Sequence, residues 1–157
     1  MQKVRPCLWF DTAAEEAARF YVSLFPNSRI VDISRYGEAG PMPAGTVMTV
    51  TFELDGRSFI ALNGGSQFSF SEALSMSVDC EDQAEVDRLW AALTDGGQPG
   101  RCGWLKDRYG LSWQIVPRAL MRLLGDPDRA KANRVMQAML KMGKIEVGTL
   151  EAAAAAA

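Results

Sequence analysis

The sequence predicts an α+β fold made of two tandem modules, each with the element order βαβββ, and a helical C-terminal extension. Two observations predict it. The order of one strand, one helix and three strands is found twice along the 157 residues, and helical spacing of apolar residues replaces strand alternation after Pro117. We expect the first module over residues 1–64, the second over 72–117 and the extension over 118–157, all within one structural domain.

The first module is expected to begin with the apolar strand Val4 to Phe10. Apolar side chains at helical spacing predict a helix over Ala13 to Phe25, and Thr12 with Glu15 three residues later gives a capping-box pattern at its start. Asp55-Gly56 is typical of a tight hairpin turn. Three further strands are expected, over residues 30–36, 46–54 and 57–63.

The second module repeats this order in shorter elements. A helix is predicted over Gln83 to Leu93, and Asp95-Gly96-Gly97 ends it. Its strands are expected over residues 73–78, 101–106 and 111–116, with a short one near Gln98. In the extension, helices are expected over residues 118–124 and 128–142. Asp126-Pro127-Asp128 supplies a cap and a first-turn proline to the second of these helices, and the alanine-rich tail after Lys144 is either helical or disordered.

Composition and charge restrict the classes of partner. The net charge is −2, from 17 basic and 19 acidic residues without a basic block, so nucleic acid is not an expected partner. No apolar run is long enough to span a bilayer, and the N-terminal segment MQKVRPCLWFD meets charge too early for a secretory signal. The three cysteines are an odd, sparse set that argues against a disulfide framework. We therefore expect a cytoplasmic protein without a membrane partner.

Five motifs together carry a family resemblance: CLWFD, FYVSLFPNS, ALNGG, CGWLKDRYG and SWQIVP. They resemble the PhnB-like branch, often labelled "3-demethylubiquinone-9 3-methyltransferase", of the vicinal oxygen chelate superfamily, which includes glyoxalase, bleomycin-resistance and extradiol dioxygenase proteins. The resemblance covers roughly residues 4–151. It implies a ligand cleft formed by the curled sheets and a homodimer, for which the methionine-rich face of residues 128–142 is a candidate contact surface.

The resemblance also implies four metal-ligand positions, which fall at Arg5 (Cys7 if the register slips by two), Ala61, Ala73 and Gln114. In the superfamily the position of Gln114 usually holds a glutamate. An arginine, two alanines and an amide do not supply the imidazole or carboxylate donors that a catalytic divalent ion needs, and the chain contains no histidine. Glu72 and Asn63 lie near these positions, and a register error would add one oxygen donor without completing a ligand set. No metal and no cofactor are predicted.

Strand alternation assigns aromatic and neutral polar residues to the face that would line this cleft: Cys7, Trp9, Phe59, Asn63, Ser75, Ser112 and Gln114. The opposite face, which includes Leu8 and Trp113, is expected to pack on the helices. Such a cleft suits a small apolar or aromatic ligand with a carbonyl or hydroxyl group. The alternative is that these side chains simply fill the cleft.

Three functions follow as hypotheses. The first is a metal-independent small-molecule binding protein. The second is an enzyme, either a metal-dependent lyase or isomerase or the methyltransferase that the family label implies, although the chain lacks the glycine-rich turn after a first strand that a doubly wound methyltransferase presents. The third is a non-catalytic interaction module with a filled cleft. Lys106, Asp107 and Arg108 are expected to form a solvated turn.

Overall fold

Two compact units make up the chain. In the computed structural model, which describes residues 1–156, one unit comprises Met1–Phe70 and the other begins at Ser71. The first predicted module lies in the first unit, whereas the second module and the extension lie in the second. That the two modules form one structural domain stays a prediction.

The first unit contains β1 (Cys7–Phe10), α1 (Ala14–Leu24), β2 (Arg29–Arg35), β3 (Val47–Leu54) and β4 (Arg57–Asn63). Its sheet has the strand order β1-β4-β3-β2, with β1 parallel to β4 and the other neighbours antiparallel. Asp55 and Gly56 have φ values of 48° and 75°, which form the tight turn that this dipeptide predicts between β3 and β4.

The second unit repeats this architecture with β5 (Ser75–Cys80), α2 (Gln83–Thr94), β6 (Gln98–Pro99), β7 (Trp104–Lys106) and β8 (Ser112–Pro117). The strand order β5-β8-β7-β6 matches β1-β4-β3-β2 element by element, and β5 is again parallel to β8. The predicted α+β fold with two βαβββ modules is therefore confirmed.

The strand predicted over residues 101–106 is shorter than expected. Cys102 and Gly103 have φ values of 57° and 84°, which turn the chain and leave only Trp104 to Lys106 in β7. The first strand of each module also begins later than predicted, at Cys7 and at Ser75.

One face of the first sheet is buried. Val50, Phe52 and Leu54 alternate along β3 with half-buried residues, and the ring of Phe52 lies 6.4 Å from that of Tyr21 on α1. Phe52 is also the register partner of Phe59 on β4, and their rings stack at 5.5 Å. Phe59 therefore belongs to the apolar face that packs on the helix.

The pairing of β1 with β4 corrects one prediction. Phe10 is the register partner of Asn63, so both residues point to the buried face that also carries Phe59. Cys7 and Trp9 alternate with Phe10 and point to the other face. The prediction that Cys7, Trp9, Phe59 and Asn63 line one face is wrong, because a one-residue difference in register between β1 and β4 exchanges the two faces.

Asn63 also begins α1. The N-cap position of the helix is Ala13, without a side-chain cap from its own segment, so the predicted Thr12 cap is wrong. The backbone N–H of Ala14 instead donates to Asn63 Oδ1 at 2.8 Å, and Asn63 Nδ2 donates to the carbonyl of Val47 at 3.1 Å. A residue 49 positions away in sequence thus satisfies an N–H at the helix start.

The C-terminal extension forms α3 (Arg118–Leu124), α4 (Arg129–Met139) and α5 (Val147–Ala155). These helices enclose a core of Leu120, Leu123, Val135, Ile145, Leu150 and Ala154. Two backbone hydrogen bonds join the extension to the loop before β7: Cys102 N–H donates to the Met142 carbonyl at 2.9 Å, and Gly103 N–H to the Gly143 carbonyl at 2.8 Å. The extension is therefore an integral part of the second unit.

Helix α4 begins at Arg129, one residue later than predicted, and Asp128 is its N-cap, because that carboxylate accepts the N–H groups of Ala130 and Lys131. Pro127 precedes the cap and is not in the first turn, and the helix ends at Met139 rather than at Met142. The predicted methionine-rich face is divided. Its last two methionines pack on the core, while Met136 and Leu140 are exposed. The homodimer stays a prediction.

None of the helices within residues 1–156 combines the length and the apolar character that crossing a lipid bilayer requires.

The cysteines should differ in reactivity. Cys80 is buried, and burial with the nearby Glu85 and Asp79 charges raises the pKa of its thiol from 9.0 to about 12, whereas Cys7 is exposed. This shift lowers the thiolate fraction of Cys80 at pH 8 about 1,000-fold relative to an ordinary thiol. We expect iodoacetamide to alkylate Cys7 in the folded protein and Cys80 only in urea, as read by peptide mass spectrometry. Equal rates for both in the folded protein would contradict the burial of Cys80.

Candidate functional site

The turn between β7 and β8 depends on a buried carboxylate. Asp107 is 3% exposed, and its side chain accepts the N–H of Tyr109 at 2.8 Å, the N–H of Leu111 at 3.1 Å and the indole N–H of Trp113 at 2.9 Å. The prediction of a solvated turn is therefore wrong at Asp107, although Arg108 is exposed. The carboxylate fixes the turn that aligns β7 with β8.

Gly97, which directly precedes β6, packs closely against the backbone of β7. An ideal Cβ on Gly97 would lie 2.2 Å from the carbonyl oxygen of Lys106, which no side chain tolerates without a backbone shift. Gly97 therefore allows the segment before β6 to approach β7 closely.

The second sheet brings three predicted site residues together on one face. In register, Ser75 lies beside Ser112, and Gln114 Nε2 donates to Ser75 Oγ at 3.0 Å. The antiparallel partner of Ser112 on β7 is Lys106, and that of Gln114 is Trp104. We call this set, with Ser77, the polar face; its members are Ser75, Ser77, Trp104, Lys106, Ser112 and Gln114.

A cavity of about 210 Å³ opens beside the polar face. Trp104 gives it an apolar wall, and Glu72, Gln98, Lys106 and Ser112 contribute polar side chains. Ser112 is 1% exposed, and its hydroxyl has no hydrogen-bond partner within the part of the chain that the structure describes. Buried hydroxyls are normally paired, so an unpaired one in a cavity wall is a candidate ligand contact.

An ion pair lies at this cavity. Lys106 Nζ is 2.6 Å from Glu72 Oε1, with the two side chains 38% and 63% exposed. The hydrogen bond from Lys106 lowers the pKa of the Glu72 carboxyl, with its own backbone N–H and the lysine charge as further causes. Glu72 is therefore ionised at neutral pH and holds the lysine at the cavity wall.

Three of the four predicted site residues of the first unit make contacts that hold the fold together. The Trp9 indole N–H donates to the Gly65 carbonyl at 2.9 Å, and its ring meets Phe68 edge-on at 5.0 Å. Phe59 stacks in the core, and both ends of the Asn63 amide are engaged in fixing α1 and β3. Cys7 is exposed at the start of β1. These four residues therefore do not form one binding surface.

A larger cavity of about 450 Å³ lies in the first unit, beside the start of α1. Its polar side chains are largely committed: Thr46 Oγ1 donates to the Pro43 carbonyl at 2.7 Å, Glu15 pairs with Arg19 at 2.8 Å, and Asn63 is engaged as described. Although this cavity is larger, it offers a ligand fewer unpaired groups than the one beside Ser112.

The metal-ligand positions do not form a donor set. Ala61 is fully buried on the helix-facing side of the first sheet, Gln114 bonds to Ser75, and Arg5 and Ala73 are exposed. Within residues 1–156, no three histidine, cysteine or acidic side chains cluster closely enough to hold a metal ion. The residues present do not fit a catalytic divalent cation.

Sequence reasoning missed Trp104, assigned Lys106 to a turn, and considered Glu72 only as a residue near the metal-ligand positions. The alternation along β8 identifies Ser112 and Gln114, but Trp104 and Lys106 become their neighbours only through the antiparallel pairing with β7. A hairpin register counted outward from the turn at Asp107 would have found both residues. Glu72 precedes β5, and no local pattern marks its position beside Lys106.

Comparison with known proteins identifies relatives of this chain. A sequence model of the protein family described as 3-demethylubiquinone-9 3-methyltransferase matches residues 2–116. A solved structure from Bacillus cereus, described as "Putative 3-demethylubiquinone-9 3-methyltransferase, PhnB protein", has 40% sequence identity to this chain. The match covers 74% of this chain and 99% of that one, with a TM-score of 0.69. Protein PA1353 from Pseudomonas aeruginosa shares the fold, with a TM-score of 0.62 and 20% sequence identity. The match covers 74% of this chain and 98% of that one. Comparison with curated proteins gives no significant match.

Proposed function

We propose that this chain is a cytoplasmic, metal-independent binding protein for a small molecule. It belongs to the family described as 3-demethylubiquinone-9 3-methyltransferase, a PhnB-like branch of the vicinal oxygen chelate superfamily. The observation that carries the proposal is the cavity beside the polar face, where the buried Ser112 hydroxyl has no partner among the described residues. An unpaired buried hydroxyl costs free energy that a ligand contact recovers.

The size of the cavity restricts the ligand. At about 210 Å³ it holds roughly seven water volumes and lies below the range of about 300–1,000 Å³ typical for drug-sized ligands. A single ring with one polar substituent suits it, whereas most of S-adenosylmethionine would extend outside it. This supports binding of a small molecule over the methyl transfer that the family label implies.

The chemistry of the walls supports an aromatic ligand. Trp104 offers a flat apolar surface on the polar face. Ser112 supplies one hydroxyl that both donates and accepts, while the Gln114 amide is held in place by Ser75. A ring against Trp104 with an oxygen at Ser112 would use both features.

The indole N–H signals of ¹⁵N-labelled protein test this proposal. On titration with phenol, benzaldehyde or benzoate we expect the signal of Trp104 to shift, because its ring lines the cavity. The signal of Trp90, which lies on α2, should not move. S-adenosylmethionine and divalent ions, added after chelator treatment, should leave Trp104 unchanged.

Two serine variants provide the matched control. Ser112→Ala should weaken binding of the best compound about two- to tenfold, the range for one neutral hydrogen bond. Ser77→Ala, on the same face but outside the cavity wall, should bind as the parent does. If no compound moves the Trp104 signal the proposed site is wrong, and a response to S-adenosylmethionine or to one metal ion would favour the enzyme hypothesis instead.

A further inference from the structure

We propose that the ligand of this cavity carries a carboxylate, and that Glu72 occupies the place of that carboxylate at Lys106 until the ligand binds. The inference rests on the proposed function and adds the chemical class of the ligand. It predicts that small aromatic acids bind in preference to neutral molecules of the same shape.

Lys106 places a positive charge beside the unpaired hydroxyl of Ser112. It is the register partner of Ser112 across the β7–β8 hairpin, so its ammonium group and the unpaired hydroxyl belong to the same face and the same cavity. An ammonium group has three N–H donors, and the structure describes one acceptor for it, Glu72 Oε1. Lys106 can therefore donate to a second oxygen.

The net charge of the cavity lining depends on Glu72. Glu72 and Lys106 are the charged residues among those that line it, so the lining is neutral while Glu72 is present and becomes positive when Glu72 moves away. A ligand anion restores neutrality by pairing with Lys106, which is partly exposed. A cationic ligand would place a second positive charge beside Lys106.

Glu72 can move away from the cavity wall at little cost in free energy. It lies between Ser71 and the start of β5 at Ser75, and its side chain is 63% exposed. Exposed ion pairs contribute little to stability, so the release of Glu72 into solvent costs little. Ser112, by contrast, is buried on a central strand and stays in place.

Together these features select a carboxylate. One carboxylate oxygen would accept from Lys106 and the other from the Ser112 hydroxyl, while the ring lies against Trp104. A neutral amide or alcohol of equal size can use Ser112 but gains no charge-assisted bond from Lys106.

The test compares benzoate with benzamide, which have the same shape but differ in charge, through the shift of the Trp104 indole signal. We expect benzoate to bind about two- to fivefold more tightly than benzamide, the range for an ion pair with a partly exposed lysine. Glu72→Gln removes the competing carboxylate and should strengthen benzoate binding about threefold, with benzamide unchanged. Lys106→Gln should abolish the preference. Glu81→Gln, an exposed acid outside the cavity wall, is the control and should bind both compounds as the parent does.

The outcomes separate this inference from the function on which it rests. If benzoate and benzamide both bind, with equal affinity and without response to Glu72→Gln, the ligand class is wrong while the binding site stands. If neither these compounds nor any other ring compound moves the Trp104 signal, the proposed function itself fails. If benzoate is preferred but Lys106→Gln keeps the preference, another group recognises the acid and the role of Lys106 is overturned.

Discussion

Asp107→Asn lowers the free energy of unfolding of the second unit by about 2–4 kcal/mol, the sum of a lost charged acceptor and a buried donor left unpaired. The carboxylate accepts two backbone N–H groups and the indole N–H of Trp113, which is 1% exposed. An amide of the same shape has a single acceptor oxygen and turns its NH₂ group towards other donors. The turn between β7 and β8 then loses its central acceptor.

Urea unfolding, followed by tryptophan fluorescence and circular dichroism, measures this loss as a lower midpoint at an unchanged slope. The matched control is Asp95→Asn. Asp95 also carries a carboxylate near this turn, but its side chain is 81% exposed and pairs with Arg108 at 3.5 Å, so its loss should cost less than about 1 kcal/mol. Equal midpoints for the two variants would show that Asp107 is not the buried acceptor of the turn.

Leu150→Ala lowers the free energy of unfolding by about 2–5 kcal/mol, the range for truncating a buried leucine. Leu150 lies on α5 and is fully buried with Leu123, Val135 and Ile145. Its removal leaves a cavity among three helices that cannot close without moving α4. Arg134, which donates to the carbonyls of residues 153 and 154, holds the far end of α5 and limits that relaxation.

The control for this variant is Thr149→Ala. Thr149 is the exposed neighbour of Leu150 on the same helix, and its replacement by alanine should change stability by less than about 0.5 kcal/mol. Urea midpoints and amide hydrogen exchange of α5 compare the two proteins. If both variants unfold at the same urea midpoint, α5 does not pack on the rest of the second unit and is not part of its core.

Local patterns predicted much of the fold. The Asp55-Gly56 turn and the second predicted helix, Gln83 to Leu93, are found almost as expected, because backbone preference and helical spacing act over a few residues. The alternation along β8 correctly assigned Ser112 and Gln114 to one face. The same reasoning from alternation failed on β4, where it assigned Phe59 and Asn63 to the face of Cys7 and Trp9. The register between the parallel strands β1 and β4 depends on a pairing across more than 50 residues of chain.

The sequence by itself determined the element order, the duplication of βαβββ, the family resemblance and the lack of histidine donors, since each depends on residue identity or short-range spacing. Tertiary structure decided which carboxylate is buried. No sequence pattern distinguishes Asp107 from Asp95, and only the folded chain places three N–H donors around Asp107. It also decided that Asn63 caps a helix 49 residues away, and that Glu72 and Lys106 meet beside Ser112. Contacts between residues distant in sequence create these environments, and no local pattern encodes them.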